Sequence, residues 1–169
     1  MLNVPLHIAV FQGHGEKERK IIEEMFFELL NDLPGITFLA MVDRQIVGVM
    51  RMKSCTGSKI SNGHAQSEDV ANLDWRKSYW HNEWARHDPL DQHWHLGPIG
   101  VLPSYQGKGI GSKLLNRFCH EVDACLSPAY LETDTDKNVR FYERFGFEVV
   151  KEAEILNVKN RYMWRRPSS

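Results

Sequence analysis

The feature that most constrains this chain is a glycine-dense segment, HLGPIGVLPSYQGKGIGSKLL, at residues 95–115. Its first half is typical of a strand and its last part begins a helix, with Pro103 between the two. Without side chains, glycines let a ligand approach the backbone closely, and the connection holds Gly107, Gly109 and Gly111. The N–H groups of residues 106–112 then lie at a helix N-terminus, where unpaired donors and the helix dipole favour an anion. With Lys108 and Lys113 adding positive charge, the segment predicts a pyrophosphate site.

Helical and strand patterns alternate around this segment and indicate an α/β chain. The hydrophobic spacing predicts helices at 15–33, 69–87, 109–126 and 139–145 and strands at 36–42, 45–52, 93–102, 129–133, 147–153 and 161–165. Only Asp43 and Arg44 separate the first two strands, which predicts a tight hairpin. Residues 53–68 are polar and are predicted as a loop. Such an order favours a mixed sheet covered by helices.

Composition excludes several classes of protein. A length of 169 residues with 42% hydrophobic residues predicts one globular domain over residues 1–169. The formal charge of −1 argues against a nucleic-acid partner, because proteins that bind phosphate backbones carry a basic excess. No apolar run reaches the length of a membrane span and no leader is recognised, so we expect a cytoplasmic protein with no membrane partner. Three cysteines without a CxxC predict free thiols, and the histidine-rich segment 87–95 lacks regular metal-ligand spacing, so no metal is expected.

Three phosphate-binding patterns compete for the glycine-dense loop. A P-loop fails, because Gly109 follows Lys108 and Leu102 stands where the upstream glycine is required. The dinucleotide fingerprint has Ser112 in place of its third glycine but keeps Glu132 near the end of the next strand, so it stays open. The pattern Val-x-Pro followed by [RQ]xxGxG fits without a gap at Val101, Pro103, Gln106, Gly109 and Gly111.

The third pattern resembles motif A of the GCN5-related N-acetyltransferase (GNAT) superfamily, which binds the pyrophosphate of acetyl-coenzyme A. Residues 131–150, LETDTDKNVRFYERFGFEVV, resemble motif B of the same family, in which an Asn precedes a Tyr-containing helix ending in Gly-Phe. Those positions are Asn138, Tyr142, Gly146 and Phe147. The resemblance covers residues 36–166 and looks greatest to the branch that contains puromycin N-acetyltransferase. It implies a single-domain α/β GNAT fold with a mixed, mostly antiparallel sheet, flanking helices and splayed central strands.

The N-terminal end departs from the family pattern. GNAT domains begin with a strand and a helix, whereas only 14 residues precede the helix predicted at 15–33. The first strand is therefore either a short one over Leu6 to Phe11 or missing. A missing strand would leave a sheet edge unpaired, and an unpaired edge favours a homodimer.

The resemblance also implies a function: transfer of acetyl from acetyl-coenzyme A to a primary amine of a small molecule, directly within a ternary complex and without a metal. The backbone amides expected to hold the pyrophosphate are those of Gln106, Gly107, Lys108, Gly109, Ile110, Gly111 and Ser112. Because Pro98 cannot donate a hydrogen bond within a sheet, we expect backbone groups of Ile99 and Val101 to be free for the pantetheine arm and the thioester carbonyl, with Gly100 between them in the same cofactor site. Asn138 is expected to contact the cofactor arm. The alternative is a non-catalytic sensor that binds acyl-coenzyme A.

Three residues are candidates for proton transfer. Tyr142 matches the family's general acid, and a phenol of pKa about 10 can protonate a departing thiolate whose thiol has a pKa of about 8.5. Glu132 and His95 are the candidates for the base that takes the amine proton, and His93 shares a strand face with His95. The aromatic residues of the helix at 69–87 would either flank the acceptor or form a packed face; they are Trp75, Tyr79, Trp80 and Trp84.

Overall fold

The computed structural model describes residues 4–13, 15–57 and 69–168, whose strands form one six-stranded mixed sheet. The strands are β1 (Ile36–Val42), β2 (Gln45–Cys55), β3 (His93–Val101), β4 (Ala129–Thr133), β5 (Glu148–Ile155) and β6 (Val158–Arg165). The helices are α1 (Pro5–Phe11), α2 (Glu16–Asn31), α3 (Leu73–His87), α4 (Ile110–Ala124) and α5 (Asp136–Glu143). The strand order is β1-β2-β3-β4-β6-β5. Strands β3 and β4 pair in parallel, whereas the other neighbouring pairs are antiparallel, as the predicted fold class requires.

The β1–β2 connection is the predicted tight hairpin. Asp43 and Arg44 have φ angles of 48° and 65°, and two successive left-handed residues are what a two-residue turn needs to match the strand twist. Strand β2 continues to Cys55, three residues beyond the predicted end at Met52. The rest of the predicted loop, residues 58–68, lies outside the described residues.

The N-terminal segment is helical, so the prediction of a short strand over Leu6 to Phe11 is wrong. Pro5 stands at the first helical position, where its missing N–H costs nothing. Leu6 and Val10 lie one helical turn apart and are both buried in a cluster with Trp80 of α3. The two buried side chains are four residues apart, which matches one turn of a helix. This spacing is why the short apolar run forms a helix and not a strand. Within the described residues β1 is the first strand, and its outer edge pairs with no other strand.

Two helices begin at residues other than those predicted, because a side-chain oxygen atom caps the first turn of each. One begins later than predicted and the other begins earlier. Helix α3 begins at Leu73 because the side chain of Asn72 accepts hydrogen bonds from the N–H groups that follow it. Helix α5 begins at Asp136, three residues before its prediction, because Thr135 accepts from the N–H of Asn138. None of the described helices is long and apolar enough to span a bilayer.

Helices cover the sheet on both faces and form two hydrophobic cores. Helices α4 and α5 pack on one face, where the largest core includes Leu115, Phe118, Leu131 and Tyr142. Helices α1, α2 and α3 form the second core at the opposite face. There the Tyr130 hydroxyl donates to the carbonyl of His87 at the end of α3. We call these the α4 face and the α3 face.

Candidate active site

The central strands separate part-way along the sheet. Strands β3 and β4 pair only at Trp94 with Ala129 and at His95 with Tyr130. Beyond His95, β3 remains paired with β2 up to Val101, and β4 remains paired with β6 over its whole length. A wedge-shaped gap therefore opens between β3 and β4, as the predicted splay of the central strands requires.

Backbone groups of β3 face this gap. The N–H of Leu102 donates to the carbonyl of Val47 in β2 at 2.9 Å. Because backbone groups alternate along a strand, Gly100 also faces β2, whereas Ile99 and Val101 face away from β2 toward the gap. The carbonyl of Val101 accepts a hydrogen bond from the side chain of Gln106 at 3.0 Å. Ile99 and Val101 therefore present backbone groups to the gap and Gly100 presents its own to β2, and the cofactor roles of all three stay predictions.

The glycine-dense loop leaves a series of N–H groups without acceptors. Within the described part of the chain, no hydrogen-bond acceptor is recorded for the N–H groups of residues 107–112. Gly107 and Gly109 have φ angles of 74° and 79°, and a Cβ built on either would meet no atom within 4 Å. The Gln106 amide differs from its prediction, because it already donates to the carbonyl of Pro103 at 3.2 Å. The loop is therefore an open cradle of donors at the start of α4, suited to a diphosphate.

His95 and Glu132 form a hydrogen-bonded pair at the narrow end of the gap, where the pairing of β3 with β4 stops. His95 Nε2 lies 2.7 Å from Glu132 Oε2, and both side chains are largely buried. A Cβ placed on Gly97 would lie 3.9 Å from His95 Nε2, so the imidazole sits beside the backbone that lines the gap. Burial lowers the pKa of His95, but the charge of Glu132 and hydrogen bonds with Cys55 and Glu132 raise it to about 9. The two residues predicted as alternative bases are therefore one unit.

Tyr142 lies on the other side of the sheet. It is 7% exposed and packs with Phe141 and Phe147 on the α4 face. Burial, together with the nearby carboxylate of Asp134, raises the pKa of its hydroxyl above the ordinary value. Asp134 directly follows β4 and also accepts a hydrogen bond from the N–H of Leu6 at 2.8 Å. The Tyr142 hydroxyl is thus near the end of β4, where the gap is widest.

The remaining predicted positions are Asn138 on α5 and the aromatic residues of α3. Asn138 is half-buried in the first turn of α5, and its N–H is held by Thr135. The aromatic rings of α3 pack largely on one another: Trp75 stacks on Tyr79 at 5.1 Å, and Trp80 meets Trp84 edge-on at 4.8 Å. This favours the packed-face alternative for the helix. Within the described residues, no group of three His, Cys, Asp or Glu side chains is arranged to hold a metal ion.

Sequence reasoning missed Cys55, which it treated only as a free thiol. Cys55 ends β2 and pairs across the sheet with His93. Burial raises the pKa of its thiol, but the neighbouring imidazoles of His93 and His95 and the charge of Lys53 lower it to about 6. The residues are far apart in sequence, and only the pairing of β2 with β3 brings them together, so no local signal could have found the contact.

A comparison with protein families decides the assignment. A family described as the acetyltransferase (GNAT) domain matches residues 34–149, from just before β1 into β5. The chain belongs to the GNAT acetyltransferase family. The match spans the gap, the open loop and α5, so the geometry above is that of a GNAT enzyme. It confirms the predicted family, whereas the branch within the family stays a prediction.

An acetyltransferase of known activity shares sequence with part of this chain. It is L-methionine sulfoximine/L-methionine sulfone acetyltransferase from Salmonella typhimurium, 33% identical over 64 residues. The aligned part is 36% of this chain and 37% of that relative, little more than a third of each protein.

Two crystal structures share the GNAT fold at low identity. The first is described as histone acetyltransferase HPA2 and related acetyltransferase from Corynebacterium glutamicum; it has a TM-score of 0.63 and 19% identity, covering 90% of this chain and 77% of that one. The second is aminoglycoside 6'-acetyltransferase type Ii, with a TM-score of 0.52 and 19% identity over 97% of this chain and 87% of that one. At these identities the likeness establishes the fold.

Proposed function

We propose that this GNAT enzyme transfers the acetyl group of acetyl-coenzyme A to a primary amine of a small molecule within a ternary complex. The observation that carries the proposal is the open cradle of N–H groups at residues 107–112, directly beside a gap in the sheet. A diphosphate matches the cradle, and an extended arm fits a gap whose edge presents backbone groups of Ile99 and Val101. When bound, acetyl-coenzyme A supplies an activated acetyl thioester.

The cradle and the gap bind different parts of acetyl-coenzyme A. Amides of residues 107–112 hold the diphosphate, and Lys108 and Lys113 add positive charge near it. Gln106 acts through its side chain, which fixes the carbonyl of Val101 and so the end of β3. The N–H groups of Ile99 and Val101 can donate to the pantetheine arm or to the thioester carbonyl. Asn138, half-buried in the first turn of α5, contacts the cofactor arm.

Proton transfer is assigned to groups on the two sides of the sheet. His95, oriented by Glu132, removes the proton of the amine on the α3 face. Its pKa of about 9 means that only a small fraction is neutral at pH 7 and able to act as a base. Tyr142 donates a proton to the departing sulfur from the α4 face, and its raised pKa keeps the phenol protonated at working pH.

The small-molecule acceptor is supported by the α3 face and by the relative. The carboxylate of Glu132 lies there beside His95. Its negative charge suits an ammonium group before it is deprotonated. The Salmonella relative is named for two small amino-acid analogues, each of which carries one primary amine.

Isothermal titration with coenzyme A and a free-thiol assay over a panel of amines test this function. We expect coenzyme A to bind and at least one small primary amine to release thiol from acetyl-coenzyme A. Binding without turnover of any amine would favour the non-catalytic acyl-coenzyme A sensor. A chain that binds NAD but not coenzyme A would overturn the proposal in favour of a dinucleotide site. Initial rates with both substrates varied should give intersecting lines, because direct transfer needs both bound together.

A further inference from the structure

A second group of reactive side chains joins β2 to β3 on the α3 face. Strand register places Cys55 opposite His93 and Lys53 opposite His95, so these four side chains share one face of the sheet. Cys55 is thus a direct cross-strand neighbour of His93 and a diagonal neighbour of His95. It is half-buried, so part of the side chain meets solvent. No step of the proposed acetyl transfer uses this sulfur.

Charged groups surround the thiol on every strand packed near it. His93 and His95 lie on β3, and Lys53 and Arg51 lie on β2. Behind the imidazoles are two carboxylates: Glu132 bonds His95 at 2.7 Å, and Asp88 lies 3.5 Å from His93 Nε2. Each carboxylate favours the charged form of its imidazole, and each charged imidazole favours a negative sulfur. Burial lowers the pKa of His93, but the nearby Asp88 carboxylate, the Cys55 thiol and the Asp91 carbonyl raise it well above the ordinary value.

The two other cysteines of the chain have different surroundings. Cys119 is buried on α4, and burial raises the pKa of its thiol. Cys125 is exposed just after α4. Among the described residues, Cys55 is the one of the three whose strand register places an imidazole directly opposite it. Since the thiolate is the nucleophilic form of cysteine, the three sites should differ in reactivity at neutral pH.

We propose that Cys55 is a covalent modification site for soft carbon electrophiles, held as a reactive thiolate by His93 and His95. The sulfur attacks the carbon that bears a leaving group and forms a thioether. The bond to the leaving group breaks, and the leaving group departs as an anion with the electron pair. No proton moves in this step, because the sulfur is already deprotonated. The thioether product is uncharged, whereas the thiolate that it replaces carried a negative charge facing His95.

Modification of Cys55 therefore also changes the pKa of His95, the proposed base. Loss of the negative sulfur removes one of the groups that favour protonated His95, so the pKa of His95 falls. The acid limb of the pH–rate profile should then move to lower pH. This consequence rests on the proposed function, whereas the reactivity of Cys55 does not.

Alkylation with iodoacetamide, followed by peptide mass spectrometry at each cysteine, tests the reactivity. Between pH 7 and 9 we expect the Cys55 rate to change by less than about twofold, because its thiolate fraction is already high at pH 7. Free cysteine, whose thiol has a pKa of about 8.5, is the reference and should react about tenfold or more faster at pH 9 than at pH 7. A rise at Cys55 parallel to that of free cysteine would overturn the proposal.

Histidine variants test whether the two imidazoles, and not solvent exposure alone, account for the reactivity of Cys55. His93→Gln and His95→Gln should each move the midpoint of the Cys55 rate profile upward by about one pH unit. His81→Gln, an exposed position on α3, is the matched control and should leave it unchanged. If His93→Gln fails to fold, His95→Gln carries the test. Unchanged Cys55 profiles in folded histidine variants would show that the imidazoles do not hold the thiolate.

An activity measurement distinguishes failure of this proposal from failure of the proposed function. Cys55→Ser should lower the pH of the acid limb, and Cys125→Ser should not. A chain without transferase activity that still shows the flat Cys55 profile would refute the transferase function alone. An active enzyme whose Cys55 behaves as an ordinary thiol would refute the modification site alone.

Discussion

His95 and Glu132 are joined by a hydrogen bond across β3 and β4 at the point where the pairing of those strands ends. His95 is the last residue of β3 to pair with β4, and Glu132 lies two residues past its partner Tyr130. Their 2.7 Å hydrogen bond therefore closes the narrow end of the gap. It also sets the protonation of the imidazole, because Glu132 is the main charge that raises the pKa of His95.

The pH–rate profile should report this pair. On the proposed mechanism neutral His95 is the active form, so kcat/KM should rise with pH and level off near the His95 pKa of about 9. Glu132→Gln removes the charge that raises this pKa, so the limb should move to lower pH by about one unit or more. The measurement uses an acceptor whose amine is neutral throughout the range, so that its own titration is absent. A limb that Glu132→Gln leaves in place would exclude His95 as the titrating group.

Removing the Tyr142 hydroxyl should slow chemistry without weakening binding. Tyr142→Phe keeps the buried ring and its contacts with Phe141 and Phe147. We expect kcat to fall about 100-fold, the usual contribution of a general acid, while the KM for acetyl-coenzyme A changes little. Tyr105→Phe, which removes an exposed hydroxyl, is the control. A decrease of less than about threefold would rule out the acid role of Tyr142.

The cradle at the start of α4 should be sensitive to a single methyl group. Gly109 has a φ of 79°, so Gly109→Ala carries a left-handed strain of about 1 kcal/mol. Its methyl also projects into the open space beside the loop. We expect the Kd for coenzyme A, measured by titration calorimetry, to rise about tenfold. Gly146→Ala carries the same strain at a φ of 81° after α5 and should leave that Kd unchanged. Equal effects of the two variants would indicate general destabilisation.

A paired salt bridge ties the end of α4 to β6 and should contribute to stability. The Arg165 guanidinium donates to both oxygens of Asp123 at 2.7 and 2.8 Å, and Arg165 is 6% exposed. Asp123→Asn leaves a buried charge without its partner, which costs about 2 kcal/mol. That corresponds to a Tm lower by about 6 °C for a chain of this length. Glu121→Gln, which breaks the exposed pair with Arg117, is the control and should change Tm by about 1 °C or less.

The contribution of Asp123 should depend on pH in a defined direction. Hydrogen bonds from Arg165 lower the pKa of Asp123 below the ordinary carboxyl value. A carboxyl with a lowered pKa in the folded state stabilises the fold above its unfolded pKa of about 3.9, and the stabilisation is lost as pH falls through the folded pKa. The difference in Tm between Asp123→Asn and the unchanged chain should therefore be full at pH 6 and shrink toward pH 3. A constant difference would contradict this linkage.

Local signals made much of this fold predictable. The Asp43–Arg44 turn, the strand Ala129–Thr133 and the helix after the glycine-dense loop each follow from residues adjacent in sequence. The splay was also predictable, since Pro98 interrupts β3 close to where pairing with β4 ends. Expectations based on short apolar runs were less successful, as the helix at Leu6 to Phe11 shows, because such runs do not distinguish strand from helix.

Features that depend on strand register could not be predicted. Sequence reasoning named His95 and Glu132 as separate candidates, but their hydrogen bond depends on how β3 pairs with β4. Cys55 contacts His93 only because β2 pairs directly with β3, although α3 separates the two strands in the sequence. The Gln106 amide was expected to be free, yet a tight turn at Pro103 occupies it. Such details require the three-dimensional arrangement of groups that are distant along the chain.

The placement of Tyr142 and His95 on opposite faces of one sheet has a consequence for engineering. Helix α3 packs on the His95 side, away from the donor cradle at the start of α4. On the proposed function, the acceptor amine is bound on the α3 face and the acyl donor at the cradle, so substitutions of α3-face residues around His95 should change amine selectivity without changing the Kd for coenzyme A. Selectivity and donor binding could then be evolved separately.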